Sequence, residues 1–148
     1  EISAENDSTN KQISINDGSS SNRVSIILNA ATNGVVASTH VGGSDTDLYV
    51  LTTNNVELFN KFAYKYKAND FSFWINGFKQ TATISGGSVP TANLSQLDFD
   101  KGDGGFPFYG KTKQIQYFQT ALTDSELEEL TSWESFTAMA YGQTYSIK

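Results

Sequence analysis

Three sets of residues carry side chains whose type and spacing could do chemistry. The first is Asp98, Asp100 and Asp103, three carboxylates in a glycine-rich stretch, a donor set that suits a hard cation such as Ca²⁺. No Glu closes the loop at the EF-hand spacing, and the competing reading is that each Asp bonds its own backbone in an Asx turn. Asp45 and Asp47 make a second, sparser pair of the same kind. The second set is Glu126, Glu128 and Glu129, which fall in a predicted helix where acids near the positive N-terminal end need no catalytic explanation. His40 is the single histidine and has no acidic or nucleophilic neighbour in sequence, so it reads as structural. The third set is aromatic. Sugar recognition needs flat rings for the apolar faces of pyranoses and polar groups for their hydroxyls. Trp74, Lys65, Lys67 and Phe106 are the residues that fit this description. Each also has a structural reading: Trp74 as an anchor under a loop, the two lysines as a solvated strand face, Phe106 as part of a pinned loop.

The elements that must position these residues are strands. Ile13 and Ile15 alternate with Gln12 and Ser14, and Val24, Ile26 and Leu28 alternate with Ser25 and Ile27. Asn33-Gly34 marks a hairpin into Val35–His40, because both residue types accept positive φ. Phe62, Tyr64 and Tyr66 alternate with lysines, Ala68-Asn69 breaks the run, and Phe71, Phe73 and Ile75 alternate with Ser72 and Trp74. With Asn76-Gly77 leading into Phe78–Ile84, this predicts a three-strand meander with one aromatic face and one polar face carrying Lys65, Lys67 and Trp74. Lys111–Phe118 reads as the last long strand. Thr123-Asp124-Ser125-Glu126 is a capping box that starts a helix reaching about Thr131. The expected fold is an all-β antiparallel sandwich or jelly roll with one short C-terminal helix.

Composition excludes several classes. With 148 residues the chain is expected to form one domain, covering 1–131, followed by an aromatic extension, 132–148, that packs on the domain or on a neighbour. Asp+Glu outnumber Lys+Arg by 16 to 10, a formal charge of −6, so no basic footprint for nucleic acid is present. No run approaches the roughly 20 apolar residues of a membrane span. The absence of Cys removes disulfides, thiolate zinc sites and cysteine nucleophiles. The opening "EISA" reads as a strand entered part-way, so the first strand is expected to be truncated.

The stretch "FNKFAYKYKANDFSFWING", from Phe59 to Gly77, resembles one hallmark of laminin-G-like, concanavalin-A-like jelly rolls. "FYGKTKQIQYFQTALTDSELEEL", from Phe108 to Leu130, is similar to a second hallmark in the expected order. Where relatives carry an acidic pair early in the last strand, this chain has Lys113 and Gln114. "YKANDF", "FDKGDGGFPFYGKTKQ" and "TALTDSELEEL" are more narrowly similar to laminin-G-like domains of tailed-bacteriophage virion proteins. Glucan hydrolases on this fold carry Glu-x-Asp-x-x-Glu on one strand, placing two carboxylates about 5–5.5 Å apart, and no such strand occurs here. The resemblance implies a non-catalytic lectin-like module at a virion surface. Its expected partners are a cell-surface glycan, other virion subunits and further copies of the chain. It also implies calcium near the binding edge, for which Asp98, Asp100 and Asp103 are the ligands expected. A structural decoration or assembly domain without a sugar site is the alternative.

Overall fold

Period-two alternation and tight turns account for most of the architecture. The computed structural model describes residues 1–5, 9–51, 54–81 and 87–143, with backbone only at 47–51, 136 and 143. In chain order the strands are β1 (Ile2–Ala4), β2 (Asn10–Asn16), β3 (Arg23–Asn29), β4 (Gly34–Val41), β5 (Ser44–Leu51), β6 (Phe62–Lys67), β7 (Asp70–Ile75), β8 (Phe78–Lys79), β9 (Gln96–Asp98) and β10 (Gly110–Thr112). Two helices follow, α1 (Asp124–Thr131) and α2 (Phe136–Gln143). The chain is an all-β antiparallel sandwich: a five-stranded sheet in the order β5-β4-β3-β2-β9 faces a three-stranded sheet, β6-β7-β8. A two-stranded ladder, β1-β10, joins the smaller sheet through a bridge between Ile2 and Asn60.

The register decides which residues share a face. Ile13, Ile26 and Ala37 stand opposite one another, as do Leu28 and Val35. These residues form the core with Ile2, Ala4, Val56, Phe73 and Ile75. From the facing sheet, Phe62 stacks on Phe73 at 6.1 Å between ring centroids, and Tyr64 stacks on Phe71 at 6.4 Å. Tyr64 also reaches across the sandwich, where its hydroxyl lies 2.8 Å from Thr39 Oγ1. The aromatic face expected from the meander is therefore the core face of the smaller sheet.

The turns follow residue chemistry. Asn76 and Gly77 have φ of 50° and 86°, and form the two-residue primed turn that matches strand twist. Ala68-Asn69 makes the two-residue turn before β7 with Asn69 alone of the two at positive φ, 59°. Asn33-Gly34 differs from expectation. Asn29 pairs with Gly34, so residues 30–33 make a four-residue loop, with Asn33 alone at positive φ.

Other departures concern lengths. β10 stops at Thr112, where sequence alternation predicts a strand to Phe118. The extension after residue 131 contains a second helix, α2, where one helix is expected. It packs on the domain: Trp133 Nε1 donates to Asn76 Oδ1 at 3.1 Å, and the Lys61 ammonium sits 4.5 Å from the Trp133 ring centre.

A buried amide pair ties these parts together. Asn60 Oδ1 accepts from Asn76 Nδ2 at 2.8 Å, and both residues are buried. Asn60 Nδ2 donates to the carbonyls of Asn55 and Leu58, each at 2.9 Å. Asn76 Oδ1 accepts from Lys61 N at 2.9 Å as well as from Trp133. Removing one partner leaves the others unsatisfied in a dry site, which costs about 1–3 kcal/mol per group. Asn76→Ala is expected to lower the urea-unfolding free energy by about 2–4 kcal/mol. An unchanged midpoint would show that the network is not structural.

Candidate functional site

The meander's second face is covered. Lys65 stands opposite Ser72, and Ala63 opposite Trp74, so these residues share one face as alternation predicts. That face lies under α1. Trp74 is only 5% exposed and packs with Ala63, Leu127 and Leu122. A ring so enclosed cannot stack on a sugar, and its position corrects the assignment of Trp74 as a binding platform. The expectation fails because a strand's outer face reads as solvated until a helix from distant sequence lies across it.

Lys65 is also committed. Its side chain is 9% exposed, and Nζ lies 2.8 Å from Asp70 Oδ1 and 3.2 Å from Asp124 Oδ1. Burial works against its charge, but hydrogen bonds to the two carboxylates outweigh it and hold the ammonium above its ordinary pKa. Asp124 in turn accepts from Lys79 at 2.6 Å. Asp124 opens α1, so two lysines of the sheet clamp the helix start. The helix is closed by the predicted capping box: Thr123 N donates to Glu126 Oε2 at 2.7 Å, and Glu126 N donates to Thr123 Oγ1 at 3.3 Å. Lys67 is exposed and lies 3.9 Å from Asp70.

The glycine-rich loop continues from β9 along the same side of β2. Gln12 N donates to the Phe106 carbonyl at 3.2 Å, and Ser14 Oγ donates to the Asp100 carbonyl at 2.8 Å. Its three carboxylates face separate partners. Asp98 Oδ2 accepts from Asn16 Nδ2 at 2.8 Å, Asp100 Oδ1 accepts from Gly102 N, and Asp103 Oδ1 accepts from Gly105 N at 3.0 Å. Asp103 also pairs with the Lys101 ammonium at 3.0 Å. Among the described residues no group of three or more His, Cys, Asp or Glu is arranged to hold a metal ion. Asp100 and Asp103 make Asx-turn bonds, Asp98 bonds the Asn16 side chain instead, and the three carboxylates are not gathered. Asp45 approaches His40, and the side chain of Asp47 lies outside the described residues.

Phe106 is the unusual residue of this loop. Its φ is 52°, in the left-handed region that bulky residues avoid, and the residue is 47% exposed. The Lys101 ammonium lies 5.5 Å from the ring centre. Phe99 and Tyr109 are exposed beside it in the loop, while Phe108 packs against the core.

The outer face of the large sheet carries a buried polar layer that sequence reasoning missed, since Gln12, Ser14 and Asn16 alternate as solvated residues would. It includes His40, whose Nδ1 lies 2.9 Å from Ser38 Oγ and whose Nε2 lies 2.6 Å from an Arg23 guanidinium nitrogen. A guanidinium only donates, so Nε2 accepts and Nδ1 carries the proton. His40 then donates to Ser38, the reverse of what a serine nucleophile needs.

A cleft of about 380 Å³ opens between β6 and residues 114–122, floored by Ile13, Ile15, Val24 and Ile26. Tyr66 and Tyr117 meet across it, hydroxyl to hydroxyl, at 3.3 Å. Burial, then the Tyr117 hydroxyl, pushes the Tyr66 phenol above its ordinary pKa. No contiguous sequence signal marks this cleft.

Two outcomes follow from the covered face. Trp74→Ala is expected to destabilise the fold by about 3–5 kcal/mol, read by urea unfolding. A near-neutral result would place the indole outside the core. The Asp124 carboxyl is held below its ordinary value of 3.8, chiefly by the Lys79 hydrogen bond, with Lys65 adding to it. A depressed carboxylate contributes stability above its unfolded pKa and loses it as pH falls through the folded one. The melting midpoint is therefore expected to fall with acid below about pH 4. In Asp124→Asn the midpoint is expected to be lower at neutral pH and to fall less steeply.

No family model matches the chain, and no curated protein matches it. Among solved structures it is similar to an S-layer domain-containing protein from Clostridium thermocellum, at 12% identity and a TM-score of 0.36. The match covers 86% of this chain, which spans 65% of the length of the other. A likeness of that size carries no argument about function. No helix among the described residues is long and apolar enough to cross a membrane.

Proposed function

We propose that the chain is a non-catalytic, lectin-like module of a virion surface protein, and that its glycan contact is the loop from Phe99 to Tyr109. The observation that carries this reading is Phe106, a bulky residue held at φ 52° with its ring turned to solvent. Local strain of this kind costs of order 1–3 kcal/mol and clusters where a side chain must be presented. Lys101 and Asp103, paired at 3.0 Å beside the ring, supply a donor and an acceptor for sugar hydroxyls. Exposed Phe99 and Tyr109 add apolar faces. Such a small platform gives weak affinity at one site, and display in many copies raises it.

A second reading, a structural module that assembles subunits, is favoured by one observation. β6 is an edge strand beside an open apolar cleft.

A glycan array probed with a multimerised form tests the first reading. Phe106→Gly removes the ring and relieves the backbone, because glycine adopts positive φ without penalty. It is expected to abolish array binding while leaving the melting midpoint unchanged or raised. If the unaltered chain binds no glycan, or Phe106→Gly binds as well as it does, the reading fails.

A further inference from the structure

Where the rims of the cleft meet, the contact is between two oxidisable rings. The Tyr66 hydroxyl lies 3.3 Å from the Tyr117 hydroxyl. Tyr66 is half-buried near the end of β6, and Tyr117 is 55% exposed. The two residues stand on different kinds of structure. β6 is hydrogen-bonded to β7 along its length, so Tyr66 has a fixed base. β10 ends at Thr112 and α1 starts at Asp124, and Tyr117 lies in the irregular segment between them. The Tyr117 ring has room to turn, because the cleft opens between this segment and β6.

Two phenols in contact are placed to couple. A one-electron oxidant takes an electron from a phenol, and the phenolic proton leaves to water. The unpaired electron of the resulting phenoxyl radical is shared with the two ring carbons ortho to the oxygen. Each ortho carbon is bonded to the carbon that carries the hydroxyl, so the carbons that couple lie next to the atoms already in contact. The exposed Tyr117 meets the oxidant first. Electron transfer across the contact can pass the radical to Tyr66 and leave Tyr117 open to a second oxidation. Two ortho carbons, one from each radical, then form a carbon–carbon bond. Each loses its hydrogen as a proton while its oxygen regains one, which restores both phenols. The pair has given up two electrons and two protons, and these convert one hydrogen peroxide into two waters. Holding the rings side by side turns an encounter between chains into a step within one chain. The nearest rival is Tyr64, 6.2 Å from Tyr66 between ring centroids. Both rise from the same strand, and the Tyr64 hydroxyl is engaged by Thr39 at 2.8 Å.

We propose that Tyr66 and Tyr117 form a site of oxidative cross-linking, joined through their ortho carbons by an oxidant of the peroxidase class with hydrogen peroxide. The chain has no cysteine, so a disulfide cannot tie these elements, whereas a bond between tyrosines can. The bond would fasten residues 113–123 to β6 and fix the width of the cleft at that end. It closes a loop of about 50 residues, and a cross-link of that span restricts the unfolded chain more than the folded one.

Treating the whole chain with a peroxidase and hydrogen peroxide, at micromolar chain concentration, tests this. The expected product is a monomer lighter by two hydrogen atoms that shows the blue emission of a biphenol. Cleavage after lysine separates the two residues, since Lys65, Lys67 and Lys113 flank them, and mass spectrometry then reads their peptides joined. Tyr66→Phe and Tyr117→Phe keep the ring and remove the hydroxyl, and each is expected to lose the joined peptides. In concentrated urea the yield of the same pair is expected to fall roughly tenfold or more, because the fold supplies the proximity. The proposal is overturned if no link forms, if the product is found only as dimers, or if another pair of tyrosines is joined in its place. It is equally overturned if the Tyr66–Tyr117 link forms as readily in urea.

Discussion

The hydrogen bond between the Asn60 and Asn76 side chains is the contact on which the rest of the arrangement depends. It joins elements that share no ladder: the 55–60 loop, the bridge to β1, the turn after β7, and Trp133 from the C-terminal extension. The same turn accepts the end of α1, where Gly77 N donates to Thr131 Oγ1 at 3.1 Å. Asn76 meets two demands at once. Its backbone must hold φ near 50°, and its amide must supply both a donor and an acceptor in a dry site. Glycine would satisfy the turn and lose the network; glutamine would keep the amide but favour neither the turn nor the reach. The turn, the strand bridge and the helix end are therefore coupled through one residue.

From that node the layering follows. α1 is held across the smaller sheet at its far end by Asp124 with Lys65 and Lys79, and at its near end by Thr131. Trp74 and Leu127 fill the space between. The lysine contacts orient the helix more than they stabilise it, because Asp124 and Lys79 are about half exposed and solvent screens the pair. The apolar contact supplies most of the energy. Once the helix is in place, the most conspicuous aromatic residue of the meander lies in the core.

The opposite edge is finished differently. Beyond β9, the loop from Phe99 to Phe108 continues along β2 through main-chain and side-chain bonds. Across the cleft beside β6, Tyr66 and Tyr117 meet hydroxyl to hydroxyl. Exposed edges invite pairing with other chains, and proteins usually cover them. The place of β6 at the edge of its sheet is what connects the assembly reading of this domain to its geometry.

Much of this protein was legible in the residues themselves. Alternation located β2, β3, β6 and β7, because a strand half-exposed to water writes its burial at period two. Thr123 and Glu126 marked the start of α1, because capping is local chemistry between residues three apart. The primed turn at Asn76-Gly77 was equally local. What only the tertiary structure decided was which outer faces stay outer. Gln12, Ser14 and Asn16 look like solvated residues and are buried, and Trp74 looks like a platform and is core, because each is covered by a segment that arrives from some 50 to 100 residues away. The carboxylates of Asp98, Asp100 and Asp103 look like one site and serve separate partners, because spacing along a chain does not set direction in space. Local sequence sets periodicity and turns through short-range sterics and hydrogen bonding. Coverage and convergence depend on long-range packing, which no window of sequence contains.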